Sequence, residues 1–524
     1  MYTFNNFLND LFIKSINNYI YDIKKKYKKP DIIKIFGYIY IIKLAISILY
    51  SSKSYAKYYI KKIPFIQNKI NTEQNKIIDE LKLKFNNEIK DIQKFNKIPD
   101  TGCNDSFIID IFIKMKQKSK TNYSNISGAT YSNNDKLDGL LSVLFSYFNK
   151  SNPLYTNLFP YVRKMENELI LFMKNLFNGD KDVCGSFTSG GTESILLACK
   201  SYRELGKSKN IEYPEIIAST TVHCAFNKAC QYFNIKLVLI DCLENGLFDL
   251  KKLKSKINKN TILIVASSPS FNLGICDQIK EINDIAIKYN KPLHVDACIG
   301  AFLVNFSNEI MDFRLKGVTS ISADFHKYGS SPKGASSILY KNKDIMKYQY
   351  YIDSTWSGGI YASPTISGSR CGNIVALTWA TTMYLGLDGY EQNYYNIIKL
   401  KNIIVYEINN IPELYVYGNP ISSIVAIGSK QININILSDE LKKKNWGINV
   451  IQNPSGFHFC ITNNHNENII NSFITDLKLL VLEIKQKPSI KYSPCIYGTM
   501  QKINDNEIID DVLVNYLHIV NGNI

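Results

Sequence analysis

Between Asn152 and Tyr340 the chain alternates two hydrophobic rhythms. Short apolar runs at 216–220 (IIAST), 236–241 (KLVLID), 261–268 (TILIVASS), 292–300 (PLHVDACIG), 320–324 (SISAD) and 336–340 (SSILY) are separated by stretches with helical periodicity, such as 192–205 and 277–290. Strand-length runs between amphipathic helices predict βαβ units and a mainly parallel sheet flanked by helices, because parallel neighbours need a crossover long enough to hold a helix. After about Leu385 a helix-rich stretch gives way to strand-like runs at 424–429, 447–452 and 457–462, which predicts a smaller α+β domain. The expected organisation is an N-terminal segment over 1–60, lead-in helices over 61–150, a large α/β domain over 151–385 and a small domain over 386–524.

The segment Ile35 to Tyr50 is nearly all apolar but carries Lys43, and it is shorter than the roughly 20 residues of a bilayer span. Starting at Ile32, with Lys34 and Lys43 snorkelling to the headgroups, gives a membrane helix over about 32–50. The competing reading is a helix lying on the membrane or on the protein. Lys24 to Lys29 on one side and Lys53, Lys57, Lys61 and Lys62 on the other leave orientation undecided by charge.

Composition changes the picture little. Apolar residues are 45% and charged residues 21% of the 524-residue chain, so it should fold throughout. The formal charge of +16 comes from lysine spread along a sequence also rich in Asn, Ile and Tyr, a bias of A/T-rich codons. No nucleic-acid-binding motif accompanies it, so nucleic acid is excluded as a partner. Eleven cysteines without a CxxC pair point to a reducing compartment rather than a disulfide framework.

Chemistry concentrates in four places. Ser186 to Ser194 (SFTSGGTES) runs straight into a helix, and glycines and hydroxyls at a helix start present N–H groups and a positive dipole end to an anion. The bland alternative is a capping box closed by Glu193. Asp296 closes an apolar strand, and Lys327 follows 31 residues later (327 − 296) in a Gly/Pro-rich turn. A buried carboxylate that keeps a pyridine nitrogen protonated, and a lysine amine that exchanges a Schiff base, are the two groups pyridoxal phosphate requires. His223, after a predicted strand, is placed to stack on the cofactor ring, and His326 beside the lysine joins the cofactor group. The order phosphate turn, histidine, aspartate, lysine is that of a fold-type I pyridoxal-phosphate enzyme.

From about Lys61 to Met500 the sequence resembles the sphingosine-1-phosphate lyase branch of the pyridoxal-phosphate-dependent group II decarboxylase superfamily. The stretches that carry the resemblance are 127–131, 151–166, 188–204, 223–229, 294–304, 317–334 and 358–372. It implies cleavage of a phosphorylated sphingoid base to a long-chain aldehyde and phosphoethanolamine. Lys327 would carry the cofactor, Asp296 would pair with its ring nitrogen, His223 would stack on it, and Gly190, Gly191 and Thr192 would hold its phosphate. It further implies a homodimer with shared active sites and one N-terminal span in the endoplasmic reticulum membrane, the catalytic body facing the cytosol. Tyr131, Tyr155 and Lys333 would surround the substrate phosphate. Tyr155 stands where the family has histidine and Ser330 where it has an aromatic residue, so one positive charge is missing from that group.

Two other readings remain open at this point. An amino-acid decarboxylase of the same superfamily would release carbon dioxide, and Lys333 and Tyr131 speak against it. A catalytically silent membrane-anchored scaffold is opposed by the intact Asp296, Lys327 and His223. The general base is left between Tyr131, Tyr155 and the substrate phosphate. Arg370 is read either as reaching a partner subunit or the cofactor loop, or as a structural ion pair. Cys298 is read as close-packed beside the cofactor rather than catalytic.

Overall fold

The structure, a computed structural model, describes residues 64–119, 123–486 and 506–522. The expected membrane helix over 32–50 and the basic run before it lie outside these residues. Among the described residues no helix is long and apolar enough to cross a membrane. The chain forms two compact units, one of Met1–Cys103 with Ile503–Ile524 and one of Asn104–Lys502, so the boundaries expected at 150 and 385 fall inside the second. In the first unit the helices Pro64–Ile89 and Asn506–Val520 pack together, with Leu81 and Val512 buried and the Phe85 and Tyr516 rings 6.0 Å apart.

The second unit is built on a seven-stranded sheet of β1 (Cys184–Thr188), β2 (Glu215–Ser219), β3 (Lys236–Ile240), β4 (Thr261–Ser267), β5 (Leu293–Asp296), β6 (Val318–Asp324) and β7 (Ser336–Tyr340). Their order is β1-β7-β6-β5-β4-β2-β3, and every pairing is parallel except those of β7 with β1 and β6. The central strands β2, β4 and β5 are buried along their whole length, which matches their unbroken apolar runs. β7 is reversed because the 11 residues between Asp324 and Ser336 (336 − 324 − 1) hold no crossover helix; that short return is the loop carrying Lys327. β1 escapes the hydrophobic pattern because Cys, Gly, Ser and Thr supply four of its five positions.

A four-stranded antiparallel sheet follows, built of β8 (Tyr415–Val416), β9 (Ile424–Gly428), β10 (Asn449–Ile451) and β11 (Gly456–Cys460) in the order β8-β9-β11-β10 and covered by the helices Ile434–Lys443 and Glu467–Gln486. This is the expected α+β portion. The helix Gly372–Asn409 links the two parts and breaks its geometry at Gly386, where φ is 63°.

Helix ends are turned by asparagine. Asn178, Asn210, Asn234, Asn290 and Asn445 each adopt a left-handed conformation, φ between 49° and 68°, just past a helix. Asparagine tolerates this region better than other non-glycine residues, since its short amide bonds locally.

Candidate active site

The parallel strands β1, β2, β4, β5 and β6 all deliver their carboxyl ends to one edge of the sheet, where ligands of open α/β sheets bind. A cavity of about 390 Å³ lies at that edge. Ser189 to Glu193 line it from the end of β1, His223 follows β2, Ser267 ends β4, and Pro269, Ser270 and Phe271 come after it. Asp296 and Cys298 close β5, and Asp324, His326 and Lys327 close β6. The structure therefore brings Gly190, Gly191, Thr192, His223, Asp296, His326 and Lys327 into one space.

The turn from Ser189 to Thr192 is held by a carboxylate, not by a hydroxyl cap. Gly190 caps the helix Gly191–Ser208 with no side-chain bond, while Glu193 accepts the Ser189 N–H at 2.7 Å and the Ile366 N–H at 2.9 Å. Half of the capping-box reading is thus real, and it serves to lock the turn. Gly191 is required sterically: a Cβ there would stand 2.7 Å from Cys298 Sγ and 3.0 Å from an Asp324 oxygen.

Lys327 Nζ lies 3.0 Å from Asp324 Oδ2, and His326 Nε2 is 3.5 Å from the same oxygen. Burial alone would raise the Asp324 carboxyl, but the Lys327 charge and then His326 overcome it and hold it well below the usual range. The same pairing holds the Lys327 ammonium above its ordinary range despite burial. The other Asp324 oxygen, Oδ1, is buried beside Gly191 with no hydrogen-bond partner among the described residues. Asp296 is held differently, its Oδ1 accepting from the Cys298 N–H at 3.1 Å and from Ser322 Oγ at 3.2 Å.

His223 takes the Ala225 N–H on Nδ1 at 3.2 Å, and its ring meets Phe271 edge-on at 6.3 Å. Tyr131 and Lys333 form a second cluster beside the lysine loop. Tyr131 packs edge-on against Tyr328 at 5.0 Å, and Lys333 Nζ sits 4.6 Å from the centre of its ring while donating to the His326 carbonyl at 3.1 Å. Burial, reinforced by Cys460, pushes the Tyr131 phenol well above its ordinary range. Tyr155, by contrast, is 57% exposed and does not line the cavity. Ser330 takes a left-handed turn, φ 58°, and lines a separate polar cavity of about 190 Å³ with Asn393, Asn396 and His465.

Asp324 and Phe271 were not singled out by sequence. Asp324 had a readable signal: like Asp296 it is a carboxylate ending an apolar strand, one helical turn's spacing before the lysine. Phe271 had none, since it follows β4 in an ordinary-looking loop. Cys298 is buried at the cavity wall, its thiol pushed up by burial, as its close-packed reading expected. Arg370 binds Glu166 through two nitrogens at 2.6 and 3.2 Å, the structural ion pair.

Residues 95–427 match the family model of the pyridoxal-dependent decarboxylase conserved domain. Sphingosine-1-phosphate lyase 1 of Rattus norvegicus is 39% identical over 469 residues, covering 86% of this chain and 82% of its own. The chain belongs to the sphingosine-1-phosphate lyase family. The lyase of Saccharomyces cerevisiae is 37% identical over 476 residues, 87% of this chain and 80% of its own. Among solved structures, the sphingosine-1-phosphate lyase of Burkholderia pseudomallei is 27% identical with a TM-score of 0.73, covering 77% of this chain and 99% of that one. Glutamate decarboxylase of Lactobacillus brevis, at 17% identity and TM-score 0.66, shares the fold alone. Membership in this lyase family fixes the cofactor as pyridoxal phosphate. The residues fit it: a glycine turn at a helix start for its phosphate, a lysine for its aldehyde and a strand-end carboxylate for its ring nitrogen.

Proposed function

We propose that this lyase-family enzyme breaks the Cα–Cβ bond of a sphingoid base 1-phosphate and releases a long-chain aldehyde and phosphoethanolamine. The observation that carries the reading is the meeting of Lys327, Asp296, His223 and the Gly190–Thr192 turn in one cavity, with a second lysine, Lys333, anchored on the backbone of His326. A second cation next to the cofactor lysine suits a substrate that brings a phosphate of its own.

When bound, pyridoxal phosphate supplies the electron sink that accepts the pair released as the bond breaks. Lys327 would hold the cofactor through its amine. Asp296 would keep the ring nitrogen protonated, His223 and Phe271 would bound one side of the ring space, and Gly190, Gly191 and Thr192 would take the cofactor phosphate. Lys333 and Tyr131 take the substrate phosphate. The raised Tyr131 phenol keeps its proton at neutral pH, so it acts as a donor to that phosphate. The substrate's hydroxyl loses its proton as the C–C bond opens to the aldehyde, and the freed carbon takes one up.

The enzyme works as a homodimer with shared sites. Supporting this, the helix Asp105–Lys118 buries none of its residues and exposes Ile108, Phe112, Ile113 and Met115, while Trp356 and Ile360 are exposed near the hairpin Tyr351–Asp353/Tyr361–Ser363. Tyr155, outside its own chain's cavity, then serves the partner's site. The apolar segment 32–50 anchors the chain in the endoplasmic reticulum membrane with the catalytic body in the cytosol.

Incubating the purified protein with a sphingoid base 1-phosphate and detecting aldehyde and phosphoethanolamine by mass tests the reading. Carbon dioxide released from an amino acid, with no aldehyde from the lipid, would replace it by the decarboxylase.

A further inference from the structure

Asp296 is the last member of a buried file whose other side chains have no part in the proposed bond-breaking. His294 and Asp296 share one face of β5, and Ser320 and Ser322 stand opposite them in register on β6. His294 Nε2 is 3.2 Å from Ser322 Oγ, and its Nδ1 is 2.8 Å from Ser320 Oγ. Ser320 in turn accepts from the Tyr202 hydroxyl at 2.9 Å. Tyr202 belongs to the helix Gly191–Ser208, whose first turn lines the cavity. Tyr202, Ser320, His294 and Ser322 are fully buried, and Phe226 closes over the imidazole edge-on at 5.8 Å.

The carboxylate sets the direction of the bonds from Ser320 to Asp296, while the Tyr202 hydroxyl is also 2.6 Å from Thr319 Oγ1. Asp296 as a carboxylate can only accept, so Ser322 donates its one hydroxyl proton to Oδ1. Ser322 oxygen must then accept from His294, which places the imidazole proton on Nε2. Burial pushes the His294 imidazole down to about 4, so it is neutral and its Nδ1 bears a lone pair. Nδ1 therefore accepts from Ser320, and Ser320 accepts from Tyr202. All four donors point toward one carboxylate oxygen. With the Cys298 N–H on the same atom, Oδ1 is saturated and the second oxygen is left for the cavity.

We propose that His294 is a positioning residue which, through Ser322, fixes the carboxylate plane of Asp296 so that its second oxygen holds the cofactor's ring N–H. The inference rests on Asp296 being the partner of that ring nitrogen. The file also ties the two ends of the cofactor site together, since the helix that presents the phosphate turn supplies the first donor. A neutral histidine is suited to this place because it accepts on one side and donates on the other without adding charge.

The test uses full-length protein loaded with pyridoxal phosphate labelled with ¹⁵N in the ring. The nitrogen signal reports whether the ring proton is held, and a cofactor titration gives affinity. Asp296→Ala must move the signal to the unprotonated position; if it does not, the assignment of Asp296 itself falls. Given that shift, Ser322→Ala and His294→Leu should each move the signal part of the way and weaken cofactor binding about fivefold, the weight of one buried hydrogen bond. His294→Gln, whose amide also accepts and donates, should restore both. A wild-type signal and affinity in Ser322→Ala and His294→Leu, with Asp296→Ala shifted, would overturn the proposal. Should His294→Leu fail to fold, Ser322→Ala decides alone.

Discussion

Asp296 and Asp324 end neighbouring parallel strands, both nearly inaccessible to water, yet their surroundings give them opposite characters. Asp296 meets only neutral donors, from Cys298 and Ser322. Asp324 meets the cation Lys327 and the imidazole of His326, and one of its oxygens has no hydrogen-bond partner among the described residues. A carboxylate braced by neutral dipoles is a fixed acceptor; a carboxylate paired with a single cation is a counterion whose strength depends on where that cation goes. The same residue type at the same place in adjacent strands thus performs two tasks, and neighbours decide which.

The largest test of this contrast is Lys327→Ala. Turnover should fall on the order of 10³-fold or more, since among the described residues Lys327 is the one lysine that lines the cavity. The substitution also leaves Asp324 buried with only the His326 imidazole against its paired oxygen, at a cost of roughly 3 kcal/mol, readable by denaturant unfolding. Adding Asp324→Asn should recover most of that stability and none of the turnover. A Lys327→Ala variant as stable as the wild type would show that Asp324 is no counterion. The pH dependence carries the matching sign. Lys327's share is complete below its ordinary range and disappears as pH climbs through the raised value, while Asp324's share is complete above the ordinary carboxylate range and disappears as pH falls through the lowered one.

Asp324→Asn alone has a smaller, kinetic signature. Only a neutral amine attacks an aldehyde, and removing the counterion lets Lys327 shed its proton at lower pH. Cofactor capture at neutral pH, followed by the visible absorption of the lysine-bound form, should speed up roughly tenfold, with its pH profile moved downward by about one unit. An unmoved profile would contradict the pairing.

A third aspartate sharpens the comparison with the smallest effect. Asp277, after β4, is buried and accepts the Ser267 N–H at 2.7 Å; burial outweighs that bond and pushes its carboxyl up to about 7. An acid raised on folding favours the native state while protonated, so its contribution is lost as pH climbs from the ordinary carboxylate range through 7. Asp277→Asn keeps the acceptor without the charge, and should add about 1 to 2 kcal/mol at pH 8 and nothing at pH 4. Equal effects at both values would mean that Asp277 is ionised throughout.

Sequence carried the order of the site well, for a physical reason. Asp296 ends β5, and Gly190, His223 and Lys327 lie in the turns after β1, β2 and β6; of these strands β2 and β5 announce themselves by apolar runs. β1 lacked such a run, and the reversal of β7 follows from loop length rather than from pattern. What sequence could not show was which oxygen faces which proton. Ser320, Ser322 and His294 read as ordinary positions within strands, and only strand register sets them in file with Asp296. Tyr155 was grouped with the site by resemblance, and within one chain it stands apart from it.

The five left-handed asparagines that turn the helix ends bear on how this protein can carry so skewed a composition. Bends are ordinarily reserved for glycine, whose codons are rich in G. An amide side chain that tolerates the mirror-image region lets a chain spelled mostly in A and T still reverse direction on schedule. All five corners lie outside the catalytic cavity's lining, so drift in base content can be absorbed there without disturbing the chemistry.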